Sequence, residues 1–110
     1  MRATKAQAER LERLHRLPCM ACVYEGVSQP SKTEAHHLVD RGYRKHSGGH
    51  DATIPLCAWH HRGLQRDGWI KAEMTAKYGP SLALKKREFV LMYDSERELL
   101  AMVNKVLEAT

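Results

Sequence analysis

Residues 19–61 run CMACVYEGVSQPSKTEAHHLVDRGYRKHSGGHDATIPLCAWHH, and the reading of this stretch decides the fold. It opens on Cys19-Met-Ala-Cys22 and closes on Cys57-Ala-Trp-His60, with 34 residues between the two elbows. Two intervening residues let a tight turn aim both donors of an elbow at one ion. Two such elbows supply a closed tetrahedral Cys3His set suited to structural zinc. Cys19, Cys22, Cys57 and His60 are therefore the expected zinc ligands. A redox pair at Cys19 and Cys22 would leave Cys57 without a role, and no βαβ pattern surrounds the CxxC. Buried free thiols with a surface histidine are the remaining alternative. The chain has three cysteines, so they cannot all pair within it, and a disulfide scaffold is not expected.

Between the elbows the sequence is rich in Gly, Ser and His and poor in apolar periodicity. Two short extended pieces are expected at 34–39 and 53–56, joined by a Gly-containing loop over 40–52. A short helix is expected over 58–66. The chain has seven histidines, six of them from His36 to His61, and zinc uses only one of these. His36 and His37 are neighbours in an extended piece, so their side chains point to opposite faces and need not share a task. One can bind a metal while the other faces a water molecule. His61 can approach from the facing element, because zinc at Cys57 and His60 fixes the start of that helix. A second, open metal site follows from this placement. A histidine pair in a polar loop, or core histidines bonded to backbone, is the plainer alternative.

Outward from the centre, 4–17 reads as a helix with a Thr4/Gln7 capping box, an apolar face of Ala8, Leu11 and Leu14, and a stop at Pro18. On the other side, 69–78 is helical and ends at Gly79-Pro80. A further helix covers 81–93, with Leu82, Leu84, Phe89 and Met92 as apolar members. Ser95 and Glu98 open the last helix, which carries Leu99, Val103, Val106 and Leu107 as a stripe. These helices hold most of the apolar residues and are expected to pack on the centre. The 110 residues are read as a single domain: an N-terminal helix at 1–17, a zinc and metal core at 18–68, and a helical extension at 69–110. The fold class is α+β. No apolar run approaches the roughly 20 residues of a membrane span, and residues 1–17 lack the apolar stretch of a secretory signal.

The order CxxC, AHHL strand, Gly-rich loop and PLCAWHH resembles the HNH, or ββα-metal, endonucleases over about residues 19–66. The run EAHHLVDRGYRKHSGG followed by PLCAWHHRG is also similar to a narrower group, the phage-type RecA-dependent (recombination-enhancement, Ref-like) nucleases. The resemblance implies a hairpin crossed by a helix, with a divalent metal between them, held in a zinc-stabilised core flanked by the terminal helices. It implies that His36 and His61 ligate the catalytic metal, that His37 is the general base, and that cleavage leaves a 5′ phosphate and a 3′ hydroxyl. It also implies DNA as partner, a recombinase filament or phage protein as a possible assistant, and action in the cytoplasm of a bacterial or phage-infected cell. The family's middle Asn is missing, since the one Asn is Asn104 in the last helix. Asp51 or Thr53 would have to pin the loop in its stead. Gln65, four residues after His61, is a candidate third ligand.

The chemistry fits a phosphodiester. A histidine with an ordinary pKa of roughly 6.5 can take a proton from water near neutral pH. A divalent ion neutralises the phosphate and the leaving oxygen. Mg²⁺ with several waters suits few protein ligands, whereas imidazole also favours Mn²⁺, Ni²⁺ or Zn²⁺. The net charge of +5 suits a polyanion. Arg41, Arg44, Lys45 and His46 crowd the loop after His37, and Arg62 and Arg66 follow His61. These are the expected DNA-phosphate contacts, with Tyr43 placed to stack on a base. A solvated, ordinarily charged loop is the alternative there. For the whole chain, the alternatives to an endonuclease or nickase are a zinc-stabilised nucleic-acid-binding module without chemistry (a degenerate HNH domain) and a zinc-knuckle protein-interaction domain.

Overall fold

The centre of the chain forms a two-stranded antiparallel sheet, as the computed structural model, which describes residues 2–109, shows. Strand β1 is Thr33–His37 and β2 is Thr53–Cys57, paired in the register Ala35 to Pro55 and His36 to Ile54. Pro55 lacks an N–H, which a two-stranded sheet tolerates because each strand has a free edge. All of β2 is buried, whereas β1 buries only Thr33 and His36.

Eight further elements among the described residues, and the turns between them, build the rest. Helix α1 is Lys5–His15 and α2 is Met20–Glu25; α3 is Arg44–Ser47 and α4 is Ala58–Arg62. Helices α5, α6 and α7 are Lys71–Tyr78, Lys86–Tyr93 and Glu96–Glu108. In α1 the Gln7 N–H donates to Thr4 Oγ1 at 3.1 Å and the Thr4 N–H donates to Gln7 Oε1 at 2.9 Å, the reciprocal box read from the sequence. At α7 only half of that device forms: the Glu98 N–H donates to Ser95 Oγ, and the Ser95 hydroxyl itself donates to the Glu98 carboxylate.

Several expected spans shorten for identifiable reasons. The helix expected over 58–66 stops at Arg62, because Gly63 takes a left-handed φ of 74°. A Cβ there would also meet Leu84 at 2.8 Å. Gln65 therefore lies beyond the helix and is not on a shared face with His61; its amide donates to the Trp69 carbonyl at 2.8 Å. The helix expected from residue 69 begins at Lys71, with the Ile70 N–H capped by the Glu73 carboxylate at 3.0 Å. The helix expected from 81 begins only at Lys86. The loop 40–52 holds α3 and a 3₁₀ turn, Gly49–Asp51. Helix α2 has no apolar periodicity to announce it, since it buries only Ala21 and Cys22.

The core joins the sheet to the terminal helices, as expected. Leu14 of α1, Ile54 and Leu56 of β2, Phe89 and Tyr93 of α6, and Leu99, Leu100, Val103 and Leu107 of α7 form one buried cluster. Ala8, Leu84, Met92 and Val106 were expected inside and are exposed. Arg10 ties three elements together, donating to Thr53 Oγ1, the Thr53 carbonyl and Asn104 Oδ1 at 2.8–3.0 Å. Among the described residues no helix is long and apolar enough to cross a membrane.

Candidate active site

The two elbows meet. Cys19 N-caps α2 and Cys57 N-caps α4, so Cys22 and His60 each sit one turn into a helix and face back toward the cap residues. His60 Nδ1 lies 3.5 Å from Cys19 Sγ, 3.5 Å from Cys22 Sγ and 3.4 Å from Cys57 Sγ, and Cys22 Sγ is 3.8 Å from Cys57 Sγ. A tetrahedron with Zn–S of about 2.3 Å and Zn–N of about 2.1 Å has edges of about 3.8 Å and 3.6 Å, so the set fits zinc. All four residues are buried.

Second contacts fix the ligands in place. The His60 Nε2–H donates to the Tyr78 carbonyl at 2.7 Å, which leaves Nδ1 for the metal. The Cys19 N–H donates to Gln29 Oε1 at 2.8 Å, and the Gln29 amide donates to Thr33 Oγ1 on β1. Burial opposes protonation of His60, but the sulfurs of Cys19 and Cys57 win and raise it to about 9. The neighbouring thiols Cys22 and Cys57 hold Cys19 far below the ordinary thiol range. Cys22 is pushed the opposite way, up, by Cys19 and Cys57, so a cation is what would let the sulfurs ionise together. Among the described residues no other group of His, Cys, Asp or Glu draws three or more donor atoms together so closely.

Beside this cluster, β1 and α4 bring His36, His37 and His61 to one cleft. A cleft of about 280 Å³ is lined by His36, His37, Arg44, His61, Lys86 and Glu96, among others. The His36 and His61 rings stand edge to face with centroids 5.1 Å apart. The His61 Nδ1–H donates to Glu34 Oε1 at 2.8 Å, so Nε2 is the ring nitrogen left for a ligand. Glu34 is held in turn by Arg62, which donates from Nε and Nη2 at 2.9–3.2 Å and keeps its carboxyl below the usual range. Burial lowers His61, against the pull of Glu34.

His36 and His37 take different partners. His36 Nε2 meets Glu96 Oε1 at 2.5 Å, and the Glu96 carboxylate also has Lys86 Nζ at 3.9 Å. His37 Nε2 instead meets His50 Nδ1 at 2.8 Å. Burial, with Arg44 next, pushes His37 down to about 4, so it is neutral at pH 7. The two residues considered as loop supports differ. Asp51 is exposed and accepts from Gln7 Nε2 at 3.0 Å, while Thr53 Oγ1 donates to the His50 carbonyl at 3.2 Å.

Of the basic residues, Arg44 reaches the cleft, and Arg41 and Lys45 are exposed on the same loop. Arg62 is occupied by Glu34. Arg66 stacks on Trp69 at 4.7 Å and donates to the Tyr78 hydroxyl at 2.9 Å, so it serves packing. Sequence reasoning overlooked Glu34, His50, Lys86 and Glu96. Glu34 sat two residues before His36 on the same strand, and His50 was one of the histidines left over; these were legible signals. Lys86 and Glu96 had none, because they belong to helices distant in sequence.

Comparison with known families agrees with this geometry. The family model described as "Recombination enhancement, RecA-dependent nuclease" matches residues 3–108. The description names a nuclease, and a nuclease acts on nucleic acid. The match runs through the zinc elbows, the His36-His37 strand and the helices that cover them, so the chain belongs to the recombination enhancement, RecA-dependent nuclease family.

Proposed function

We propose that the chain is a metal-dependent DNA endonuclease or nickase of the HNH, ββα-metal type. In this reading β1, β2 and α4 form the ββα unit, and the Cys3His zinc fixes it. The observation that carries the reading is the convergence of His36, His37 and His61 on one cleft directly beside the zinc cluster.

His36 and His61 would hold the catalytic divalent ion. When bound, that ion supplies positive charge to the scissile phosphate and to the leaving 3′ oxygen. The remaining work belongs to the protein. His37 Nε2 lies 2.8 Å from His50 Nδ1; with the proton of that contact on His37, its Nδ1 accepts the proton of the attacking water. The water oxygen attacks phosphorus, the bond to the 3′ oxygen breaks, and that oxygen takes a proton from solvent water, so the products carry a 5′ phosphate and a 3′ hydroxyl while His37 keeps the proton of the attacking water until it returns it to solvent. His50 fixes the tautomer and the ring angle of the base. Glu34 does the same for His61. Arg44 beside His37 and the exposed Arg41 and Lys45 contact neighbouring phosphates, which gives largely sequence-neutral binding. The family's description names dependence on RecA, so a recombinase filament on DNA is the proposed partner.

The test is nicking of supercoiled plasmid by zinc-loaded protein with Mg²⁺ or Mn²⁺, with and without a RecA filament. Wild type cuts, and His37→Ala keeps its fold and zinc but loses about 100-fold or more of the rate. If neither protein cuts under any of these conditions but both bind DNA, the chain is the non-catalytic binding module.

A further inference from the structure

We infer that Glu96, delivered by the first turn of helix α7, is the carboxylate ligand of the ion held by His36 and His61. The inference rests on the reading of the cleft as a catalytic metal site and adds a ligand from the C-terminal extension, outside the zinc-bound core.

Glu96 does not behave as an ordinary acidic residue at a helix start. Acids in a first helical turn sit near the positive end of the helix dipole and normally face water, as Glu98 does. The Glu96 side chain is only 2% exposed and points inward, away from solvent. Carboxylates are almost never buried so fully unless something pairs with them. Its partner here is the Nε2 atom of His36 at 2.5 Å; Lys86 Nζ, on a side chain 60% exposed, stands off at 3.9 Å.

Nε2 of histidine and a carboxylate oxygen are both metal-ligating atoms. A short hydrogen bond between them is the form such a pair takes when a proton occupies the place of the ion. Two neighbouring ligands at about 2.1 Å from an octahedral ion lie about 3 Å apart, so the pair has to open by only about half an ångström. His61 stands across from His36 with its Nδ1 already committed to Glu34, so its Nε2 completes a set of two imidazoles and one carboxylate. Such a set leaves open positions for water and for a phosphate oxygen. It favours Mn²⁺ over Ca²⁺, because imidazole is a poor ligand for the harder ion. Once Glu96 turns to the ion, Lys86, at the rim of the same cleft, is released toward the phosphate.

Glu96→Gln is the informative variant, because the amide oxygen still accepts from His36 Nε2–H and preserves a purely structural contact. Mn²⁺ is titrated calorimetrically into zinc-loaded wild type and Glu96→Gln, with zinc content and melting temperature as checks on the fold. The variant is expected to bind Mn²⁺ more weakly by at least about tenfold. In crystals of wild type soaked in Mn²⁺, the anomalous peak is expected about 2 Å from a Glu96 oxygen. Unchanged Mn²⁺ affinity in Glu96→Gln overturns the assignment. So does an ion that leaves Glu96 on His36 and outside its shell, or the failure of wild type to bind Mn²⁺ at all. Should the variant fail to fold, the crystal decides alone. If Mn²⁺ binding depends on Glu96 but DNA stays uncut, the ligand stands and the nuclease reading falls. If DNA is cut by a protein whose Mn²⁺ affinity ignores Glu96, the reverse holds.

Discussion

In the proposed mechanism His37 divides two tasks between its ring nitrogens, and His50 decides which does which. The 2.8 Å contact to His50 holds the proton on Nε2 in that reading, and Nδ1 works as the base. Replacing His50 by Ala removes the acceptor and lets the ring turn. A hydrogen bond that gains charge at the transition state is worth about 1.5–3 kcal/mol, so kcat should fall by about 10- to 100-fold while KM changes little. His50→Asn puts an amide oxygen near the same position and should restore most of the rate. The tautomer of His37, read from its ring ¹⁵N shifts, should be Nε2–H in wild type and His50→Asn and mixed in His50→Ala. Equal kcat in His50→Ala and wild type would show that His37 needs no such orientation. His50 was visible in the sequence as a histidine without a task, yet its pairing was not, because it lies thirteen positions beyond His37 across an irregular loop.

The elements α2 and α4 are each shorter than a free helix could sustain, and both start on a zinc ligand. Their stability therefore belongs to the cluster. Structural zinc of this type contributes apparent binding energy on the order of 10 kcal/mol, which exceeds what two short helices and a two-stranded sheet can offer alone. Cys57→Ser should lose zinc and abolish the cooperative melting of the centre, measured by metal stoichiometry and calorimetry. A variant that keeps wild-type melting without zinc would contradict this. The elbows were fully legible, because CxxC and CxxH carry their geometry in their spacing. The two strands, α1 and α7 were legible from extended and helical patterns and from caps. Helix α2 and the early end of α4 were not: a six-residue helix built on a metal has no apolar stripe, and Gly63 at residue 63 looks like a tolerable interruption until its φ is known. Glu96 was hidden for a different reason. In sequence it is one of two acids in a first turn, and only packing turns it toward His36.

Across the whole molecule, a core of the Cys3His cluster, two strands and α4 sets the histidines, and the flanking helices bury it and bring Lys86 and Glu96 to the cleft. Arg41, Arg44 and Lys45 stand exposed on one loop beside the cleft, whereas Arg62 and Arg66 are occupied within the fold. Replacing those three loop residues by Ala should reduce the slope of log K against log salt for duplex DNA by about 0.9 per lost phosphate contact, read by fluorescence anisotropy. An unchanged slope would move the DNA to another face. The central claim is that the cleft beside the zinc cluster hydrolyses DNA with His37 as base. Its most direct measurement is the rate of plasmid nicking by zinc-loaded wild type and His37→Ala in Mg²⁺ or Mn²⁺, with and without a RecA filament. Wild type should cut in a metal-dependent way and the variant should lose about 100-fold or more of that rate, with zinc and melting temperature unchanged. Equal cutting by the two proteins would contradict it.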